Sequence, residues 1–248
     1  MVLIAQGIGL ILAVTVALVT ATPVPPPGGL AWAFAGGTFG ILALVAFYQA
    51  LAIGRMGIVA PVAGVLGASI PVVIGSVTQG LPSALQAIGI ALAVASVALV
   101  SQPGDQPPAA SDRRALGLAL LAGTGFALFF LCMHQAGDGS PLWLVSGSRF
   151  ASVVAIVIAL VALRPTAPTG DRRWIWIALI AGVFDVAGNV SFVAAAQTGA
   201  LAIAAVTSSL YPITTVILAR VILGERFAHV HVIGIVAATA AVVCIAAG

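Results

Sequence analysis

The chain has 248 residues, 62% hydrophobic and only 6% charged, and its formal net charge of +3 comes from arginine without any lysine. Soluble globular domains carry about 25% charged residues, so a composition this poor in charge, with a mean hydropathy of +1.24, excludes one. Basic residues this sparse also give no nucleic-acid-binding surface, which needs them clustered on one face.

Apolar runs occupy 1–20, 30–53, 57–78, 83–101, 115–135, 142–163, 174–197, 200–223 and 228–247. Each approaches the roughly 20 residues a helix needs to cross a bilayer. We therefore expect an all-α, polytopic transmembrane helical bundle of about nine spans. Segments of about 10 residues with alternating polarity, the mark of a membrane β-barrel, are absent. The first run, MVLIAQGIGLILAVTVALVT, has no basic leader and no small-residue cleavage site, so it reads as a span and not as a signal peptide. Turn chemistry separates the runs at Pro23–Gly29, Gly54–Gly57 and Gly224–Arg226. The longest polar segment, SQPGDQPPAASDRR from Ser101 to Arg114, is rich in proline and charge. It suggests two halves, 1–101 and 115–248, joined by a linker at 102–114.

With alternating spans, Arg55, Arg113, Arg114, Arg164, Arg172, Arg173, Arg220 and Arg226 fall on one side and Asp138 on the other. The arginine-rich side is the cytoplasmic one, which puts Met1 inside and Gly248 outside. Trp174 and Trp176 beside Arg172 and Arg173, and Trp32 and Trp143 at the opposite side, suit interfacial belts.

Shifting the sequence by roughly 145 residues superposes the halves, as expected of a duplicated transporter. Phe47, Ala50, Gly54, Ile58 and Ala60 meet Phe192, Ala195, Gly199, Ile203 and Ala205, and Ile88-Gly89-Ile90 meets Ile233-Gly234-Ile235. Met1 then falls opposite Ser146, so the first half has four spans against five and lacks a counterpart of residues 111–145. Inverted repeats need equal, odd numbers of spans, so we expect either a start assigned one helix late, the favoured option, or a first helix lost in this member.

Polar groups inside the runs carry the chemistry. Asp185 lies near the middle of its run, with Asn189 one helical turn on along the same face. An ionised carboxylate at that depth costs about 2.5–3.5 kcal/mol on insertion scales, so it must face protein or water. Two roles stay open, a proton-coupling or substrate-binding group and a helix–helix tie. Arg149 keeps its charge and demands an anion if buried. Asp185, Asp138 or a substrate could supply that anion, unless the side chain snorkels to the outer interface. Ser208, Tyr211 and Thr215 share a face of a run interrupted by Pro212, while Pro61 and Pro71 interrupt a first-half run without matching its register. Gln49 could line a cavity from the first half. Phe126, Phe129 and Phe130 suit packing or a hydrophobic substrate wall. His134, His229 and His231 sit near span ends without metal-ligand spacing, and Cys132 and Cys244 read as small apolar residues. Neither a metal nor a cofactor is expected, and no phosphate loop is present.

Ala196–Ile203 (AQTGALAI), Ser208–Thr215 (SSLYPITT) and Leu223-Gly224-Glu225-Arg226 before a final run resemble the EamA-type repeat of the drug/metabolite transporter superfamily. A looser copy runs from Tyr48 to Pro61, YQALAIGRMGIVAP. The resemblance implies ten helices in two inverted five-helix repeats, a substrate cavity between them, and export of a metabolite, amino acid or drug-like compound in exchange for protons. This chain departs from the pattern in its missing first helix and in Gln79-Gly80-Leu81, which replaces the acidic turn in the first half. Its arginine distribution also puts Gly248 outside, whereas many members are drawn with both ends in the cytoplasm.

Together these features point to a secondary transporter of a small organic solute, working by alternating access. Asp185, Asn189, Ser208, Tyr211, Thr215, Arg149 and Gln49 are its candidate substrate or coupling residues. Its partners are the small-molecule substrate and the lipid bilayer, without nucleic acid; protons and a second copy in a homodimer stay open. The location expected is the plasma membrane, for a bacterial protein the inner one. A non-transporting membrane assembly protein and an intramembrane enzyme built on Ser148 are the other classes. The side assignment predicts that a reporter fused after Gly248 signals from outside the cell, and a cytoplasmic signal reverses it.

Overall fold

The computed structural model describes residues 2–78, 83–100, 110–137, 139–163, 173–197, 221, 224 and 228–248. Among them are eight helices and no strand: α1 (Val2–Val19), α2 (Pro27–Ile53), α3 (Met56–Thr78), α4 (Ala84–Val100), α5 (Ala110–Gln135), α6 (Pro141–Leu163), α7 (Arg173–Gln197) and α8 (His229–Ala247). Each matches an expected apolar run. The run expected at 200–223 lies, but for Val221, outside the described residues.

The physical reason for so much helix is that hydrocarbon offers no hydrogen-bond partner, so each segment must satisfy its own backbone. Four helices are long and apolar enough to cross a membrane: α1, α2, α5 from Arg113, and α6 to Ala162. Shorter apolar stretches lie in α3, α4, α7 and α8. Large apolar side chains point outward all along them, Ile11, Leu18, Phe184 and Trp176 among them. In water such a surface would drive association, whereas lipid solvates it. The chain is a multi-pass membrane protein.

Helix ends follow local chemistry. α2 and α6 begin at Pro27 and Pro141, where a missing N–H costs nothing and the fixed φ suits the first turn. α5 begins at Ala110, inside the polar segment. α3 runs through both Pro61 and Pro71, so these prolines remove backbone bonds without ending the helix. α1 ends in a reversed turn: Ala21 N–H donates to Leu18 O (3.1 Å) and Thr22 N–H to Ala17 O (3.0 Å), with Ala21 at φ +50°. This is the Schellman pattern, with alanine where glycine is usual. Trp143 Nε1 then donates to Thr22 O at 2.9 Å, which ties the chain after α1 to the start of α6.

The chain forms two compact units, residues 1–41 with 129–198 and residues 42–128 with 199–248. In the first, α1 packs along both α6 and α7, around Ala13, Val145 and Val186. A second cluster joins Ala33, Ala136 and Leu144. In the second unit, α8 packs on α4 and α3 around Val65, Ala93, Ala238, Ala241 and Val242. Ala50, Val59, Val62, Ala115 and Ala119 form another seam there, and Phe126 meets Phe47 edge-on at 5.9 Å between ring centroids. Phe129 and Phe130 likewise stack edge-on against each other at 5.4 Å.

Alanine dominates both cores. Lipid competes equally well for large apolar side chains, so helices associate in membranes by bringing backbones close over small residues. Gly182 of α7 shows how close. A Cβ there would collide with the Ile8 side chain and lie 2.5 Å from Ala5 O on α1. Gly188, two turns on, faces open space. Gly182→Ala is expected to destabilise the protein by about 1–3 kcal/mol, the usual cost of overpacking, and Gly188→Ala to leave it unchanged or slightly stabilised. Thermal unfolding in detergent checks both.

Candidate functional site

The polar centre of the first unit is assembled by α1, α6 and α7. Close packing over Gly9 and Gly182 brings α1 against α7, and Gly9 lies under the Arg149 stem, where a Cβ would sit 3.9 Å from Arg149 Cδ. On α6, Gly147 packs on Ala33 of α2, and Gly37 of α2 touches the Ser148 backbone. Small residues thus draw helices around Arg149 from two sides.

Arg149 Nη1 pairs with Asp185 Oδ2 at 2.6 Å. The same Nη1 donates to Gln6 Oε1. Asn189 holds the carboxylate from below, its Nδ2 donating to Asp185 Oδ1 at 3.1 Å and to Asp185 O at 2.8 Å. The two charges differ sharply in exposure, 9% for the Arg149 side chain and 49% for that of Asp185. Arg149 Nε is buried and has no hydrogen-bond acceptor. The arrangement is therefore an ion pair with one enclosed member and one half-exposed member at the surface of the helix bundle. A guanidinium keeps its proton, so only the carboxylate can change charge.

Among the alternatives the sequence left for Arg149, the structure selects pairing with Asp185. Asp138 lies outside the described residues, and the guanidinium does not snorkel but is buried. Asp185 and Asn189 share a face as the one-turn spacing predicts. Gln49 is exposed on α2, in the second unit. Ser208, Tyr211 and Thr215, with Pro212, lie outside the described residues. Gln6 is the participant that sequence reasoning missed. Its signal was faint: one amide, uncharged, early in an apolar run, on a helix whose other hydrogen-bonding side chain is Thr15.

The serines flanking Arg149 spend their hydroxyls on backbone carbonyls. Ser146 donates to Leu142 O (2.7 Å) and Ser148 to Val145 O (2.8 Å). Ser152 donates to Ser148 O at 3.0 Å and reaches across to Gly37 O at 3.1 Å. They pack helices, and Ser148 has no histidine beside it to activate a nucleophile among these bonds. His134 and His229 are exposed, as their places near span ends suggest, but His231 is buried at the start of α8. Among the described residues no three His, Cys, Asp or Glu side chains group as metal ligands. Cys132 and Cys244 are free thiols.

A buried cation without its counter-ion costs more than an accessible carboxylate without its cation. Asp185→Asn is expected to lower stability by about 1–3 kcal/mol, more than Arg149→Gln does, and the double variant to recover part of the loss. A double-mutant cycle by thermal unfolding in detergent measures this; additive effects would mean that the pair does not couple.

A protein-family model described as the EamA-like transporter family matches residues 113–247. The match takes in α5, α6, α7 and α8 and includes both Arg149 and Asp185. No curated protein matches the chain. With more than half of its length matched, and with a helical, lipid-compatible architecture, the chain belongs to the EamA-like transporter family, within the drug/metabolite transporter superfamily, whose members move small solutes across membranes.

Proposed function

We propose that this protein is a secondary transporter of the plasma membrane that exports or exchanges a small organic solute by alternating access, with Asp185 as the proton-carrying group. The observation that carries this reading is the Arg149–Asp185 pair (2.6 Å), set among apolar helices with one member buried and the other accessible. A coupling group must be reachable by a proton, and the half-exposed Asp185 carboxylate is the member of the pair at the surface of the helix bundle.

Two states follow from the chemistry. With its charge, the carboxylate neutralises Arg149 and draws α7 to α6. With a bound proton its hold on Arg149 weakens from an ion pair to a hydrogen bond that a neutral carboxyl accepts. A proton thus weakens a contact between two helices, which is the kind of bistable element a transport cycle requires. Asn189 orients the carboxylate in the paired state. Ser208, Tyr211, Thr215 and Gln49 are the further candidate substrate-contacting residues of this reading.

The framework is a pair of inverted repeats, 1–101 and 115–248, joined by 102–114. The internal register of roughly 145 residues supports it, as does the family match over 113–247. Alternating access is then a rocking of one repeat against the other.

Asp185→Asn is expected to abolish solute uptake driven by a pH gradient in proteoliposomes while the variant still inserts in the membrane. Counterflow without a gradient measures the remaining carrier activity. Full pH-driven uptake in the variant would reject the coupling role.

A further inference from the structure

We propose that Arg149 receives an acidic group of the transported solute, so that the substrate is an organic anion that takes the place of Asp185 on the guanidinium; this rests on the transporter reading above. Sequence alone leaves the sign of the substrate open, since a carboxylate invites a cation and an arginine invites an anion. The difference in burial decides between them.

A cationic solute would have to draw Asp185 away from Arg149. That would leave a guanidinium of 9% exposure with one neutral amide, Gln6, and an unpaired buried cation is the costliest arrangement available to the site. An anionic solute has the opposite effect. It replaces one counter-ion with another, Gln6 keeps its hold on Nη1, and the carboxylate displaced is the accessible one, 49% exposed. Arg149 also has an unused donor. Asp185 engages Nη1, and the buried Nε has no acceptor. A ligand carboxylate that reaches Nε supplies the acceptor which that nitrogen lacks. The site is thus better completed by a ligand's carboxylate than by its own.

The exchange also balances charge. Anion binding displaces a carboxylate, and a proton taken up by Asp185 keeps the site neutral, so one proton accompanies one anion. Among the described residues, the ionisable groups on the elements packed against Asp185 are few. α6 contributes Arg149, α1 contributes none, and α7 itself adds only Arg173 at its first turn.

The test uses the purified full chain in detergent at constant ionic strength. The probes are acetate, hexanoate and benzoate, each beside its amide and the amine of matching size, and thermal shift gives apparent affinities for each variant. At least one carboxylate is expected to bind the unaltered chain in preference to its amide and amine. Asp185→Asn is expected to bind it about tenfold more tightly or better, because the competing carboxylate is gone. The Arg149→Gln/Asp185→Asn double variant, neutral and without a stranded buried charge, is expected to lose this binding. A preference for the amines, no response to any of the three carboxylates, an unchanged affinity in Asp185→Asn, or retained binding in the double variant each overturns the proposal. Loss of pH-driven uptake in Asp185→Asn without carboxylate preference overturns the anion assignment and leaves the transporter reading standing. Carboxylate preference with intact pH-driven uptake does the reverse to the coupling role.

Discussion

Two opposite charges carried on apolar helices govern how the first unit is built. Either one alone costs about 2.5–3.5 kcal/mol on insertion scales, and lipid offers no compensation. The 2.6 Å contact between Arg149 and Asp185 removes most of that penalty, but only if one face of α6 meets one face of α7. The guanidinium then needs a second acceptor, which α1 provides through Gln6. Three helices are oriented by one pair, and their apolar surfaces have little freedom to choose another arrangement.

Small residues make the orientation sterically feasible. α1 can lie against α7 because Gly182 and Gly9 present no side chain at the crossing, and α2 can approach α6 because Gly37 and Gly147 do the same. The same device recurs in the second unit, where Gly89 lies under Ile245 and Gly123 under Ala63. Electrostatics chooses the faces in the first unit, and backbone proximity supplies the dispersion energy in both. Hydroxyls such as that of Ser152 add short bonds across these seams.

Much of this was legible in the chain itself. Runs near 20 residues can be little else than spanning helices when almost no charge interrupts them, and the eight that lie among the described residues are helical. Asp185 and Arg149 drew attention because charge is expensive at their positions. Their mutual pairing was one of several options, since sequence does not say which faces meet. Gln6 escaped notice because an amide costs far less to bury than a charge, so it leaves a weak imprint on composition. Unequal exposure of the two ions arises from tertiary packing and has no local signature. His231 shows a similar effect: a place near a span end suggests water, yet packing at the start of α8 buries it. Proline was over-read as well, since α3 passes through Pro61 and Pro71 unbroken.

The order in which the three helices appear along the chain bears on biosynthesis. Gln6 is made first, Arg149 much later, and Asp185 only after the rest of α6, residues 164–172 and the first half of α7. Synthesis therefore makes the cation before its carboxylate. For that interval the amide on α1 is the partner within the finished cluster that already exists, which casts α1 as a docking strut for α6 before α7 arrives.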